Sequence, residues 1–228
     1  MSTPDPAPFY RDEWVTLYHG DCREILPLLP TFDLLCTDPP YGHGERWSGG
    51  TWGAHPMYAA CFDWDATPVE NSLLLSLIAQ ARAAIIWGGN YYRLPPARCL
   101  LAWEKSSKMA TLADFELAWT SLNRPAKLFR EDRNPDGKRQ HPTQKPLSVM
   151  IWCLSFAPGS VFDPFCGVGT TMIAAKKLGR KSIGIEIDEQ YCQVAAERLV
   201  GTTPNLFMPT PVALEQESMF PTAKGKRR

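Results

Sequence analysis

The stretch Val161-Phe162-Asp163-Pro164-Phe165-Cys166-Gly167-Val168-Gly169-Thr170-Thr171 decides the fold of this 228-residue chain. It runs from an apolar segment through a glycine turn into an amphipathic one, and it predicts a strand over 160–163 and a helix over 170–178. A second strand over 181–187 and a second helix over 189–199 complete the unit. This order is typical of an α/β fold, in which a mostly parallel sheet carries helices on both faces.

Apolar runs and amphipathic segments alternate over the rest of the chain as well. This alternation extends the sheet towards the N-terminus. Residues 121–145 are polar and basic, and we expect them to be irregular. The predicted strands are 15–18, 32–37, 83–87, 98–103 and 115–119, and the predicted helices are 22–29, 69–82 and 146–156.

Two glycines in the turn, Gly167 and Gly169, leave room for a ligand against the backbone and the start of the next helix. Glu186 ends the next strand, where nucleotide-binding folds place a carboxylate for ribose hydroxyls. A tight turn also uses glycine for steric reasons alone. The acidic Asp163 before the turn would repel a pyrophosphate and suits an ammonium, which favours S-adenosylmethionine over a dinucleotide such as NAD.

The tetrapeptide Asp38-Pro39-Pro40-Tyr41 follows the apolar run 32–37, so it is expected at the carboxyl edge of the sheet, where ligands bind in such folds. Its prolines lack backbone N–H groups and stiffen the turn. Carbonyl oxygens and one carboxylate therefore face outward beside an aromatic ring, an arrangement suited to a planar group that bears an NH2. The alternative is an ordinary proline-terminated strand with a capping Asp.

Four segments together resemble the β-class of DNA amino-methyltransferases, which methylate adenine N6 or cytosine N4. They are DPPY at 38–41, the glycine turn with GIEID at 184–188, HPTQKP at 141–146, and Gly20-Asp21-Cys22. A catalytic motif that precedes the cofactor motif is the circularly permuted order of that family. The resemblance implies a Rossmann-like methyltransferase fold that uses S-adenosylmethionine.

The resemblance also implies a role for each matching position. Asp38 and the Pro39 carbonyl would accept hydrogen bonds from the target amine, and Tyr41 would stack on the base. Thr143 and Lys145 would close the site near the methionine end of the cofactor. The implied catalytic residues are Asp38, Pro39, Pro40 and Tyr41, and the implied cofactor-binding residues are Asp21, Cys22, Asp38, Thr143, Lys145, Asp163, Pro164, Phe165, Cys166, Gly167, Gly169, Thr170, Thr171, Glu186 and Ile187.

An exocyclic amine is a poor nucleophile because its lone pair is delocalised into the ring. Two acceptors that hold its hydrogens favour a pyramidal nitrogen, and such preorganised groups act most strongly in a dry site. The base must leave the duplex stack to reach them. No covalent intermediate is needed, so Cys166 is interpreted as a small packing residue rather than a nucleophile.

The chain carries 24 Lys and Arg against 24 Asp and Glu, and the zero net charge excludes a protein that coats nucleic acid by bulk charge. Residues 82–145 hold 12 of these basic and 6 of these acidic groups, a net of +6. We expect DNA phosphate contacts there, although a solvated surface charge is the alternative for each. The candidates are Arg124, Lys127, Arg130, Arg133, Lys138 and Arg139.

Residues 1–200 are predicted to form one methyltransferase domain, with target-recognition loops within 42–68 and 104–140. Residues 201–228 are predicted to be a flexible tail. The tail segment Gln216-Glu217-Ser218-Met219-Phe220 is similar to peptides that bind bacterial sliding clamps, and a chance match is the alternative.

The seven cysteines form no CxxC pair, which predicts reduced thiols and no metal site. With no apolar signal or membrane segment, the chain is expected in the cytoplasm, with double-stranded DNA and a second copy of itself as partners. Asp rather than Ser at position 38 favours adenine N6 as the target, with cytosine N4 as the nearest alternative. Methylation of RNA or of a protein amide, and a non-catalytic remnant, are more distant alternatives.

Overall fold

The computed structural model of the chain describes residues 6–43, 65–108, 113–135, 137 and 144–205. Over these ranges, the predicted strands and helices occur in the predicted order, and two further strands, Tyr10–Arg11 and Lys127–Glu131, are added to them. The strands are β1 (Tyr10–Arg11), β2 (Val15–His19), β3 (Phe32–Thr37), β4 (Ala81–Trp87), β5 (Leu100–Lys105), β6 (Phe115–Thr120), β7 (Lys127–Glu131), β8 (Val161–Asp163) and β9 (Ser182–Glu186). The α-helices are α1 (Cys22–Ile25), α2 (Asn71–Ala79), α3 (Leu147–Leu154), α4 (Thr170–Lys177) and α5 (Glu189–Val200).

The described strands form one mixed sheet in the order β1-β2-β9-β8-β3-β4-β6-β5-β7. Neighbours from β2 through to β4 run parallel, so their carboxyl ends meet at one edge. β6 is antiparallel to both β4 and β5, and β7 is parallel to β5. β5 and β7 therefore point the same way as β4, and the predicted mostly parallel α/β sheet is confirmed.

The two strands that precede the functional turns, β3 and β8, are neighbours in the sheet. Leu34 pairs with Val161 and Leu35 with Phe162, although the two strands lie far apart in the chain. This pairing brings the end of β3, with the tetrapeptide after it, next to the glycine turn. The permuted order of motifs thus becomes a spatial adjacency at the centre of the sheet.

Helices cover both faces of the sheet. Successive residues of β3 point to opposite faces, so their burial shows what covers each one. Leu34 is fully buried against α3 and α4, in a cluster that includes Trp152 and Ala174. Leu35 is fully buried on the other face, in a cluster with Leu74 of α2. Burial on both faces explains why the centre of this strand, Leu34-Leu35-Cys36, is continuously apolar rather than alternating.

Two boundaries differ from the sequence prediction between residues 69 and 87. α2 ends at Ala79, and β4 begins at Ala81 rather than at residue 83. Ala81 pairs with Phe32 across the sheet, so backbone pairing to β3 takes over residues whose composition suits a helix equally well. Tertiary pairing decides the boundary where local propensity does not.

The predicted irregular structure over 121–145 is wrong in part, because β7 lies within it. Lys127–Glu131 pairs in parallel with β5, and the ring of Phe129 stacks on Trp152 at 5.2 Å between centroids. Three of its five residues, Lys127, Arg130 and Glu131, are charged, as is common at the edge of a sheet. Two adjacent apolar residues in a basic stretch are too weak a signal to predict it.

Among the residues that the structure describes, no helix is long and apolar enough to span a membrane. Residues 206–228, with the clamp-like Gln216–Phe220 segment, lie outside the described ranges, as do 44–64 and 138–143.

Candidate active site

A cavity of about 450 Å³ opens beside the carboxyl ends of β2, β9, β8 and β3. Such a volume is typical of small-molecule sites, which range over about 300–1,000 Å³. The cavity brings together residues from the separate motif segments. The predicted site residues in its wall are Asp21, Cys22, Asp38, Pro40, Lys145, Asp163, Pro164, Phe165, Cys166, Gly167, Thr170, Thr171, Glu186 and Ile187.

Three described residues that the sequence places in the site, Pro39, Tyr41 and Gly169, do not line this cavity. Pro39 and Tyr41 belong to the turn behind Asp38, and Gly169 faces a helix instead. Thr143 lies outside the described residues.

Asp163 connects the end of β8 to the end of β3. Its Oδ1 accepts a hydrogen bond from Thr37 Oγ1 at 2.7 Å and another from the Phe165 backbone N–H at 3.2 Å. Burial, which outweighs these hydrogen bonds, raises the pKa of Asp163 to about 6. A cation that enters the cavity would find a buried acceptor whose ionised form it stabilises.

The two glycines of the turn have different surroundings. Gly167 has a φ of +50°, and a Cβ built on it would meet nothing within 4 Å, because it lies in the wall of the cavity. Gly169, with a φ of +78°, begins α4, and a Cβ there would lie 3.0 Å from the Cβ of Ala195 on α5. Gly167 therefore keeps space open for a ligand, whereas Gly169 allows two helices to approach.

Glu186 holds the glycine turn from the neighbouring strand. Its carboxylate accepts backbone hydrogen bonds from Gly167 at 2.7 Å and from Asp188 at 3.0 Å. Burial raises its pKa. Each oxygen of a carboxylate accepts more than one hydrogen bond, so Glu186 can still receive one from a ligand hydroxyl.

Asp21 and Cys22 form the wall at the end of β2. Asp21 caps α1 by accepting the Arg23 backbone N–H at 2.8 Å, and it also forms an ion pair with the Arg23 guanidinium. Burial raises the pKa of the Cys22 thiol to about 11, so this side chain stays neutral and presents an apolar surface.

Both oxygens of the Asp38 carboxylate accept hydrogen bonds. The Tyr41 hydroxyl donates to Oδ1, and Lys145 Nζ donates to Oδ2 at 2.5 Å. The side chain is only 22% exposed, and its burial raises its pKa although the Lys145 ammonium opposes the shift. The family resemblance places Lys145 near the methionine end of a cofactor, and the structure adds a direct hydrogen bond to the Asp38 carboxylate.

A second carboxylate, on β6, also contacts Lys145. Glu116 accepts from Lys145 Nζ at 3.1 Å and from Lys105 Nζ at 2.6 Å, while the ring of Trp87 lies 5.3 Å from the Lys145 ammonium. Burial disfavours the Lys145 charge, but the two carboxylates outweigh it and raise the pKa to about 12. Lys145 is therefore a permanent cation at neutral pH rather than a base.

Tyr41 is held in place by glycine. Gly88 has a φ of +65°, and a Cβ on it would lie 2.1 Å from Tyr41 Cε1, so the ring packs directly on this backbone. Tyr91 flanks the ring at 5.0 Å between centroids. The neighbouring Tyr92 hydroxyl donates to the Pro40 carbonyl at 2.5 Å and so fixes the turn 38–41, which we call the acceptor turn.

One wall of the cavity was not predicted. It comes from the segment before α2 and from the first turns of that helix, and its residues are Thr67, Pro68, Val69, Glu70 and Leu73. Their position depends on how α2 packs over the sheet, which no spacing in the sequence shows. Glu116 and Lys105 were also missed. Each reaches the site through strand pairing, which the spacing of residues does not show either.

The predicted DNA contacts fall at opposite edges of the sheet. Lys127 begins β7, and because β7 runs the same way as β3, its first residue lies at the edge away from the cavity. Arg124 precedes it, with its guanidinium 4.7 Å from the Phe156 ring centroid. Arg130 and Arg133 lie towards the cavity edge, and Arg130 is paired with Glu104 at 2.8 Å. Lys138 and Arg139 lie outside the described residues.

The α/β fold, with the acceptor turn and the glycine turn beside one cavity, is typical of an enzyme that binds a nucleotide-containing ligand. Comparisons with known proteins agree. A family model, N6_N4_Mtase, described as DNA methylase, matches residues 86–197. The chain is 30% identical over 209 residues to the "Putative methylase YubD" of Escherichia coli (strain K12), across 79% of this chain and 88% of that protein.

Further matches are consistent with this. The chain is 26% identical over 266 residues to the Type II methyltransferase M.ScaI of Streptomyces caespitosus, across 88% of this chain and 86% of that protein. The M1.HpyAVI–SAM complex has a similar fold, with a TM-score of 0.54 and 22% identity over 81% of this chain and 98% of that one. The PvuII DNA methyltransferase (cytosine-N4-specific) gives 0.59 and 17% over 94% and 93%.

The chain belongs to the N6/N4 family of DNA amino-methyltransferases.

Proposed function

We propose that this chain transfers a methyl group from S-adenosylmethionine to the exocyclic N6 of adenine in duplex DNA. The observation that carries the proposal is that Asp38 and the glycine-turn residue Asp163 line one cavity, joined through Thr37. An acceptor for an amine and an acceptor for a cationic cofactor are thus held side by side. Alignment of two substrates in this way supplies much of the barrier reduction in a transfer reaction.

The residues present fit S-adenosylmethionine. Gly167 leaves open the space that a Cβ would fill, Asp163 suits the ammonium of the methionine part, and Glu186 suits the ribose hydroxyls. Asp21 and Cys22 line the same cavity, and we assign them to the adenine part. The cofactor is S-adenosylmethionine, and it supplies a methyl group bound to a positively charged sulfur.

Asp38 and the Pro39 carbonyl would hold the two hydrogens of the target amine. This grip directs the nitrogen lone pair, and the Asp38 carboxylate offsets the positive charge that develops on nitrogen. The amine loses one proton when it is methylated, and Asp38 is the nearest acceptor for it. The Tyr41 ring would lie beside the flipped base, and its hydroxyl keeps Asp38 oriented.

Adenine is favoured over cytosine by Asp rather than Ser at position 38. For DNA contacts we assign the cavity edge, with Arg130 and Arg133, rather than the edge with Arg124 and Lys127. Target recognition is assigned to segments within 42–68 and 104–140 of a single domain over 1–200, and most of the first segment lies outside the described residues. The second copy and the sliding-clamp contact stay predictions.

The test is to incubate the protein with duplex DNA and methyl-labelled cofactor, and to digest the DNA to nucleosides. We expect N6-methyladenine. N4-methylcytosine alone would overturn the choice of base, and no labelled nucleoside would overturn the function. Asp38→Asn and Asp38→Ala should both lose turnover while they still bind the cofactor in a calorimeter.

A further inference from the structure

Four charged side chains of alternating sign run from the acceptor turn into the sheet. They are Asp38, Lys145, Glu116 and Lys105, with successive contacts of 2.5, 3.1 and 2.6 Å. The Lys145 and Lys105 side chains are only 6% and 8% exposed. Charges so far from water interact more strongly than surface pairs and are weakly screened by salt.

Within this row of charged side chains, Glu116 moderates the effect of the Lys145 ammonium on Asp38. An ammonium that interacted with Asp38 alone would make this carboxylate a weaker acceptor for the target amine. Glu116 takes a share of the Lys145 charge, so Asp38 stays more basic and still has a fixed donor on Oδ2. Lys105 in turn balances Glu116, so the four groups sum to zero charge.

We propose that Glu116 is a positioning residue for methyl transfer, which holds Lys145 between two carboxylates and thereby fixes the place of Asp38 and its strength as an acceptor. The proposal rests on the proposed function. It goes beyond that function, because Glu116 lies on β6, outside every motif of the sequence, and does not line the cavity.

The basicity of Asp38 matters because the reaction develops positive charge on the amine nitrogen and releases a proton from it. The amine nitrogen forms a bond to the methyl carbon, the carbon–sulfur bond breaks with its electron pair on sulfur, and the nitrogen releases one proton. A less basic Asp38 would offset the developing positive charge less and accept that proton less readily. Loss of the Glu116 charge makes Asp38 less basic, since Glu116 raises the pKa of Asp38 and Lys145 lowers it.

Other ionisable groups around Asp38 would stay the same in a Glu116 variant. The described ones that face it, from its own turn and from the elements packed on it, are Tyr41, Tyr92, Asp163 and Lys145. The two tyrosines have pKa values raised by burial and by Asp38, so they stay neutral over the range of the experiment.

The experiment compares Glu116→Gln with Glu116→Asp, which keeps the charge, and with Asp12→Asn. Asp12 forms a similar ion pair with Lys176, at 2.6 Å and with the lysine side chain 8% exposed, and neither residue lines the cavity. For each protein, kcat and KM are measured against pH. The carboxyl pKa of Asp38 is measured by carbon-13 NMR without cofactor.

For Glu116→Gln we expect kcat to fall about tenfold, a change of about 1.4 kcal/mol in the barrier, with little change in the cofactor KM. We also expect a lower Asp38 pKa and an acid limb of kcat that moves to lower pH. Glu116→Asp should keep both midpoints, and Asp12→Asn should keep kcat. A rise in cofactor KM alone, or an unchanged Asp38 pKa, would overturn the proposal.

The NMR titration separates this proposal from the proposed function. A wild-type protein that methylates no DNA would contradict the function, yet the Asp38 pKa of Glu116→Gln would still show whether the carboxylate is held as described. If Glu116→Gln fails to fold, Glu116→Asp and the wild-type protein still give the comparison, because the shorter acid should loosen Lys145 and reduce kcat at an unchanged pH midpoint.

Discussion

The hydroxyl of Thr37 donates a 2.7 Å hydrogen bond to Oδ1 of Asp163, and both side chains are buried. This bond joins the strand before the acceptor turn to the strand before the glycine turn. Position and ionisation of Asp163 therefore depend on a residue 126 positions earlier in the chain.

Thr37→Val, which keeps the shape and removes the donor, should weaken cofactor binding several-fold and cost about 1–2 kcal/mol of stability. The lost hydrogen bond leaves Asp163 with a higher pKa and a smaller ionised fraction at neutral pH. Calorimetric titration and denaturant unfolding measure the two effects. Thr120→Val is the matched control, since this buried hydroxyl donates to the Cys99 carbonyl at 2.8 Å. Equal cofactor affinity in both variants would contradict the prediction.

Cofactor affinity should depend on pH through Asp163, whose pKa is about 6. A bound ammonium favours the ionised carboxylate, so below about pH 6 a proton must leave before the cofactor binds. Affinity should fall by up to about tenfold per pH unit there and level off above pH 7. Titrations in two buffers of different ionisation enthalpy measure the released proton. Asp163→Asn should flatten the profile, and a flat wild-type profile would refute this role.

Substitution by alanine should have different effects at the two glycines of the glycine turn, Gly167 and Gly169. Gly167→Ala places a methyl group in the cavity, so cofactor affinity should fall at least tenfold while stability falls by roughly 1–2 kcal/mol from its positive φ. Gly169→Ala brings a Cβ to 3.0 Å from Ala195 and should lose more stability than Gly167→Ala. Thermal unfolding and cofactor titration on both variants decide this. The reverse order of stabilities would show that the two positions are misassigned.

DNA binding should distinguish the two edges of the sheet. Arg130→Gln should weaken duplex binding and lower the slope of log affinity against log salt by about 1, because one phosphate contact is lost. Lys127→Gln on the same strand, at the edge away from the cavity, should leave both unchanged. Fluorescence anisotropy at several salt concentrations measures the slopes. Equal effects of the two substitutions would indicate that charge acts without regard to position.

Much of the fold follows from patterns that short segments carry. The runs over 32–37 and 160–163 have apolar centres, Leu34-Leu35-Cys36 and Val161-Phe162, so they are recognisable as central strands, and the position of each functional turn follows from the strand before it. The roles of Asp38, Asp163 and Glu186 stay predictions, but the structure places all three around one cavity, as their strand ends require.

Other features depend on contacts between segments that no spacing shows. Lys127–Glu131 forms a strand because it pairs with the edge of β5. The parallel direction of this pairing places Arg130, rather than Lys127, towards the cavity. Glu116 reaches Lys145 only because β6 is antiparallel to β4. Local sequence cannot specify an ion pair whose partners are brought together by the sheet.

The pairing of β3 with β8 also has a consequence for how the protein is made. The Asp38–Tyr41 turn leaves the ribosome first, and the strand that must lie beside it follows more than a hundred residues later, since Leu34 pairs with Val161. Contacts between such distant segments form slowly, because a long loop must close before they bring any stabilisation. The cavity is therefore assembled late, because Asp38 can lie beside the glycine turn only after β8 has been synthesised and paired.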